Sequence, residues 1–241
     1  MASSLDDIEF LARSEHRFRV LGELSERPCE RAELQERTEV TRTTISRTLS
    51  DMEGKGWVES EGWQYRLTPL GEMMYEEFAR ALDTADTVRT LNRVIEWVPT
   101  EALDIDLRHF HDATVSVASR TDPTLPVRRF TGLKAADGHV QALIYALDPF
   151  QLAAHRRATE VSNQRVEVVF SADFYRKLQD NPDIARDVSQ VAASDQYDFY
   201  LCDEEPPIQL VVAEDTVGLL LTGTDGTFPA YVESRNEAVA A

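Results

Sequence analysis

The feature that most constrains this chain is a pair of prolines, Pro69 and Pro99, with one helical pattern running between them. Thr68 stands as N-cap, and Pro69 takes the first helical position, where its missing N–H costs nothing. From there Leu70, Met74, Phe78, Leu82, Ala85, Val88, Leu91, Ile95 and Val98 recur at three- and four-residue steps. A helix over the whole span is about 45 Å long, which outruns one small domain. The chain must therefore organise as two bodies, one before this helix and one after it. The apolar stripe either packs on its own chain or pairs with the same helix of a second copy.

The N-terminal side reads as short helices. Leu5, Ile8, Leu11 and Ala12 share one face of residues 5–12, and Phe18, Leu21 and Leu24 recur at three-residue steps over 14–25, with Ser14 as N-cap. Pro28 closes that helix, and 30–38 form a third, short one with Ala32 and Leu34 inward. A tight connection at 38–40 leads into a helix over 41–52. On it Val40, Ile45, Leu49 and Met52 share the buried face. Thr43, Thr44, Ser46 and Arg47 project from the other face, with Arg42 at its edge. From Val40 to Ser50 there is no carboxylate. Such a face can donate to phosphate oxygens and read base edges.

Gly54 and Gly56 end this helix. Two strand-like runs, 57–60 and 63–67, follow around a Glu61-Gly62 turn and predict a hairpin. Helix, turn, helix and hairpin in this order form the winged helix-turn-helix pattern. Arg66 is the wing's only cation, beside Glu59 and Glu61, so a backbone contact is the most that the wing's charge offers.

Beyond Pro99 strands alternate with helices. Strands are predicted at 113–119, 139–147 (a run whose length also permits a helix), 165–170, 197–202, 208–213, 217–221 and 228–232, and helices from Asp148-Pro149 to 162, from Ser171 to 178 and from Asn181-Pro182 to 193. The tail after 236 reads as frayed. This alternation predicts an α/β sheet with at least one parallel pair. If the sheet is open and parallel in its middle, Asp148 and Ser171 lie beside a crevice at the strand ends. Helix N-termini there favour an anionic ligand, although ordinary capping is the simpler reading of both residues. The densest basic clusters of this half, Arg128-Arg129 and 155–157, are either solvated faces or anion contacts.

Composition narrows the function classes. With 241 residues, 42% of them hydrophobic, the chain has ample material for real cores. No apolar run approaches 18 residues and the N-terminus lacks a signal pattern, so a cytoplasmic protein without a membrane partner is expected. Cys29 and Cys202 are far apart and read as packing residues. Net charge is −18, and of the 25 basic residues all but Lys55, Lys134 and Lys177 are arginine. Excess carboxylate with scarce lysine resembles proteins of salt-accumulating archaea; the plainer reading is an acidic, soluble protein. Such a charge normally argues against nucleic acid. At molar salt, however, the Debye length is about 3 Å, and the local character of the contact face decides.

No catalytic constellation is found: no Gly-rich phosphate loop, no G-x-S-x-G, no H-E-x-x-H and no paired H-x-K. His109 and His111 would share a side of a strand, yet no cluster supplies further ligands. Asp104 and Asp106 can hold Mg²⁺, but two acids among 43 carry little weight. No metal, cofactor or catalytic residue is therefore expected.

The run from Arg31 through Leu49 to Leu67-Thr68-Pro69-Leu70-Gly71 resembles the winged helices of archaeal transcriptional regulators. The whole layout, with Asp148-Pro149-Phe150 and 165–170 in the second half, resembles the methanogenesis regulatory protein family and, more distantly, TrmB-type regulators. The resemblance implies an α+β protein: a winged helix-turn-helix over 1–71, a connecting or dimerisation helix over 72–99 and an α/β effector-sensing domain over 100–241. With the face and wing read above, it implies a homodimer that contacts double-stranded DNA through Arg42, Thr43, Thr44, Ser46, Arg47 and Arg66. It also implies a small-molecule effector or a partner, for which the residues read above, Asp148, Ser171, Arg128 and Arg129, are the candidates. The alternative is a winged helix that docks a protein of the transcription machinery without reading bases.

Overall fold

The computed structural model describes residues 3–103, 105–146 and 164–240. The chain divides into two compact units, Met1–Thr84 and Ala85–Ala241.

The first unit opens with α1 (Ser4–Ala12), fixed by a capping box in which Ser3 and Asp6 exchange hydrogen bonds. Next is α2 (Glu15–Glu26), where Ser14 holds the N-cap position without making a side-chain cap bond. A two-residue strand that the sequence pattern did not give, β1 (Cys29–Glu30), precedes α3 (Arg31–Thr38). The connection out of α3 is tight because Glu39 takes the left-handed conformation, φ 57° and ψ 24°. Helix α4 (Arg42–Gly54) follows, then the hairpin β2 (Val58–Glu61) and β3 (Gln64–Leu67), and β1 completes a small sheet by pairing with β3. The expected inner face of α4 is buried in full: Val40, Ile45, Leu49 and Met52 join Leu21, Leu24 and Leu34 in one core.

Helix α5 (Pro69–Leu91) closes this unit by packing Met74, Tyr75 and Phe78 against that core. Its first turn lies so close to the preceding chain that a Cβ on Gly71 would sit 1.9 Å from the Trp57 carbonyl oxygen. Only glycine fits there. The helix is about 34 Å long and stops at Leu91, short of the expected run to Pro99. The reason is tertiary. Leu91 and Val94 bury together in a core of the second unit, a backbone turn bonds Val94 N to Leu91 O, and a 3₁₀ turn at Ile95–Trp97 follows.

The second unit is a mixed sheet. Its elements are β4 (Thr114–Val117), α6 (Leu125–Lys134), β5 (Gly138–Ile144), β6 (Gln164–Ser171), α7 (Ala172–Gln179), α8 (Pro182–Ala192), β7 (Tyr197–Cys202), β8 (Gln209–Ala213), β9 (Thr216–Leu221), β10 (Ala230–Ser234) and α9 (Glu237–Ala240). The strand order is β4-β10-β9-β8-β5-β6-β7. Strands β5, β6 and β7 run parallel, and every other pairing is antiparallel. The parallel part is thus one edge of the sheet and not its middle. Alternation along the strands gives two buried faces. Val140, Ala142, Val166, Val168, Val211 and Leu220 pack with Phe130 of α6 and Val191 of α8. Val217, Leu219, Leu221 and Val232 pack with Leu91, Val94 and Phe110.

Two local expectations change. Helix α6 was not anticipated: Pro126 sits at its second position, where proline is tolerated, and Val127 and Phe130 are its inner residues. The tail is docked, not frayed. Asp112 accepts hydrogen bonds from Ser234 Oγ and Arg235 N, both 2.6 Å, Asn236 caps Ala238, and Val239 packs on the sheet core. The helix expected after Asp148 lies outside the described residues.

Candidate nucleic-acid interface

The outer face of α4 is built from its N-terminus. Thr41 is the N-cap, its Oγ accepting from Thr44 N at 3.4 Å and lying 3.0 Å from Thr44 Oγ. One turn further, Ile45 and Leu49 anchor the helix from below, which leaves Arg42, Thr43 and Arg47 exposed and Thr44 and Ser46 half-buried. The five predicted α4 residues therefore share one solvent-facing surface, with Thr44 also engaged in the cap.

The charges of this unit are sorted. Arg13, Arg19, Arg27, Arg37, Arg66 and Arg80 each pair with a carboxylate, and Arg17 lies over the Phe10 ring while donating to its carbonyl. Among the described residues, Arg31, Arg42 and Arg47 pair with none. The Arg27 guanidinium keeps the Glu33 carboxyl below its usual range.

The wing behaves differently from α4. Glu59 stands directly across the hairpin from Arg66 and pairs with it at 2.9 Å, while Glu61 lies 3.9 Å away, so the predicted wing cation is engaged within its own hairpin. The turn residues are Gly62 and Trp63, not Glu61 and Gly62. Gly62 has φ 64°, and Trp63 is displaced from the strand to the tip, 86% exposed. A groove of about 490 Å³ runs beneath it, lined by Arg31, Gln35, Arg42 and Tyr65 among others. Sequence reasoning missed Arg31 and Trp63; the exposed indole is legible only once the turn is placed one residue later.

In the sheet unit the candidate effector residues are dispersed. Ser171 is buried at the end of β6, and its Oγ accepts from Phe174 N at 3.1 Å, which is capping. Arg128 and Arg129 are exposed on α6, which crosses β4, β8, β9 and β10. Both terminal nitrogens of Arg128 bind Asp122, at 2.9 and 2.8 Å, and hold that carboxyl below its usual range. Asp148 lies outside the described residues. A separate, mostly apolar cleft of about 250 Å³ lies between Phe170, Tyr175, Val188, Phe199 and Leu201.

His109 lies in a 3₁₀ turn, Leu107–Phe110, which His111 caps. Residues two apart on a three-residue turn diverge, so the strand geometry that would let them share a cation is absent. Asp106 accepts from Arg108 and is pushed down to about 2. Among the described residues no group of three His, Cys, Asp or Glu side chains is gathered for a metal.

Comparison with known proteins follows these two units. Residues 5–90 match the family model of the HVO_A0261 N-terminal domain, and residues 123–241 match that of the methanogenesis regulatory protein FilR1, middle domain. These matches define the class, a regulator with a winged-helix head and a mixed-sheet regulatory domain. Within it, the chain resembles the methanogenesis regulatory protein family over its second half and pairs that domain with an HVO_A0261-type head. No curated protein matches it in sequence. Among solved structures it is similar to TrmBL2, an archaeal chromatin protein, with 12% identity and TM-score 0.39 over 96% of this chain and 92% of that one. It is also similar to IdeR of T. acidophilum (15%, TM-score 0.28, 91% and 97%) and to the methyltransferase CalO1 (15%, TM-score 0.27, 82% and 62%). At these scores none of the three bears on function.

Proposed function

We propose that the chain is a sequence-specific regulator of transcription that binds double-stranded DNA as a homodimer. The observation that carries this reading is the carboxylate-free state of Arg42 and Arg47 on the open face of α4, in a unit whose other arginines are mostly paired. An unpaired guanidinium keeps its planar fork of donors for another anion or for a guanine edge. Thr43, Thr44 and Ser46 add hydroxyls beside it, and the major groove admits a helix of this kind. Arg66 is a backbone contact only once it leaves Glu59. The match to a domain of a protein named as a methanogenesis regulator supports transcription as the process.

For the dimer, the support is the outer side of α5, where Leu82 and Val88 are exposed and Ala85 lies between them. Two-fold dimers bring two recognition helices to half-sites about 34–36 Å apart. The sheet domain is assigned the sensing of a small-molecule or protein effector. The acidic, lysine-poor composition fits a salt-rich cytoplasm, and among the described residues no helix is long and apolar enough to cross a membrane.

Genome-wide crosslinking tests the reading. The expected result is a shared, two-fold symmetric motif beneath the peaks. Peaks at promoters with no common motif would instead support a winged helix that docks a protein of the transcription machinery. Sedimentation of the Leu82→Asp, Val88→Asp double variant checks the dimer, which is expected to dissociate.

A further inference from the structure

We propose that the groove between α3, the start of α4 and the wing tip is a second DNA contact, in which Arg31 and Arg42 grip one backbone phosphate and Trp63 lies against the adjoining deoxyribose. This rests on the DNA-binding reading above and adds a contact that the charge of the wing does not supply.

Three observations converge on the groove. Its volume, about 490 Å³, is ample for a phosphate and the sugar beside it. Its lining holds two guanidiniums, Arg31 and Arg42, and the neutral donor Gln35 against one carboxylate, Glu30. Charge therefore favours an anion here, in a protein whose net charge is −18.

Arg31 is prepared for such a ligand. Tyr65 Oη accepts from one of its terminal nitrogens, and the guanidinium carbon stands 5.6 Å from the Tyr65 ring centre. Its Nε is closed off from solvent and has no hydrogen-bond partner. With Nε buried, only the terminal nitrogens are left to meet a ligand, and a fork held by Tyr65 and paired with no carboxylate suits a phosphate oxygen better than a freely moving surface arginine does.

Trp63 completes the site. Trp57 is buried in the core of the unit, whereas Trp63 is held out at the wing tip, on the rim of the groove. An indole carries no charge, so its contact with a sugar or base releases no counterions and resists salt. The only cation in the wing, Arg66, is already paired with Glu59. The wing thus contributes apolar contact, and the phosphate charge is met from α3 and α4.

Trp63→Ala and Arg31→Gln, with Arg47→Ala for reference, separate the possibilities in fluorescence titrations with a crosslinked duplex over a salt series. Trp63→Ala is expected to weaken binding by about tenfold with an unchanged salt slope. Arg31→Gln is expected to lower the slope of log K against log salt by about 0.9. Indole emission should change on duplex addition and lose that change in Trp63→Phe, while thermal melts of the variants stay at the parent value. Wild-type affinity and slope in both groove variants, with binding still lost in Arg47→Ala, would overturn the groove while leaving the recognition helix standing. Loss of duplex binding in the unmodified protein would instead remove the reading on which the groove rests. Thymidine monophosphate is expected not to compete; competition from it equal to that of the duplex would make the groove a nucleotide site and overturn the proposal.

Discussion

The arginines of α4 and four arginines of the sheet unit are the same chemical group put to different uses. Arg108, Arg128, Arg165 and Arg176 are each closed by an aspartate, at Asp106, Asp122, Asp198 and Asp173. Arg42 and Arg47 stand open on a face with no carboxylate from residue 40 to residue 50. Much of the difference is local. Asp106 and Asp173 precede their partners by two and three residues, a spacing that a turn or helix brings together. The wing shows an intermediate case, since Arg66 is closed by a residue facing it across the hairpin. In an acidic chain the number of arginines says little about an anion site; which of them have been left unpaired says more.

That contrast can be broken in several ways. The open face depends on a helix held rigidly from below, so Leu49→Ala, removing a buried side chain, is expected to destabilise the first unit by about 2–5 kcal/mol in chemical denaturation. Gly71→Ala forces a Cβ onto the Trp57 carbonyl and is expected to cost about 1–3 kcal/mol by the same measurement. Glu39→Gly relieves a left-handed turn just before α4 and is expected to raise stability by about 1 kcal/mol. Glu59→Gln should release Arg66, tighten DNA binding several-fold and steepen its salt slope by about 0.9. No change in slope would mean that an open arginine in the wing is not the limiting contact.

The smallest effect tests the closed pairs. Asp106 is held at about 2 by Arg108, below its ordinary 3.8. A carboxyl with a lowered folded value stabilises above the unfolded value and loses that contribution as pH falls through the folded one. Asp106→Asn should therefore lie slightly below the parent in stability above pH 4, and the two should converge towards pH 2. The pair is exposed, so the separation in an acid titration is small.

The first unit was largely legible in the sequence because its signals are local: caps, three- and four-residue apolar steps and a glycine-centred hairpin. Val40, Ile45, Leu49 and Met52 marked the buried face of α4, and its exposed residues followed by elimination. The errors arise where distant chain decides. Nothing local distinguishes Leu91 from Leu82 on α5; the helix stops where Leu91 and Val94 bury in the sheet core. Strand β1 is two residues long and exists only because β3 passes beside it. The position of the parallel strands at one edge depends on the antiparallel pairing of β8 with β5, which element order does not reveal. Helix α6 did carry a signal, in Val127 and Phe130 at a three-residue step behind a proline. Arg31 and Trp63 are not legible locally, because Arg31 opens a helix three elements before the wing tip and the strand pattern of 63–67 runs on through Trp63.

The central claim is that the open arginines of α4, and not the closed ones of the sheet, meet DNA. A fluorescence-anisotropy titration of one crosslinked genomic fragment at high salt, with Arg47→Ala, Thr44→Ala and Arg128→Ala beside the parent, tests it directly. Arg47→Ala is expected to lose about 1–3 kcal/mol of binding free energy, the value of one arginine–guanine contact, with a smaller loss for Thr44→Ala and none for Arg128→Ala. Unchanged binding in both Arg47→Ala and Thr44→Ala would contradict the account.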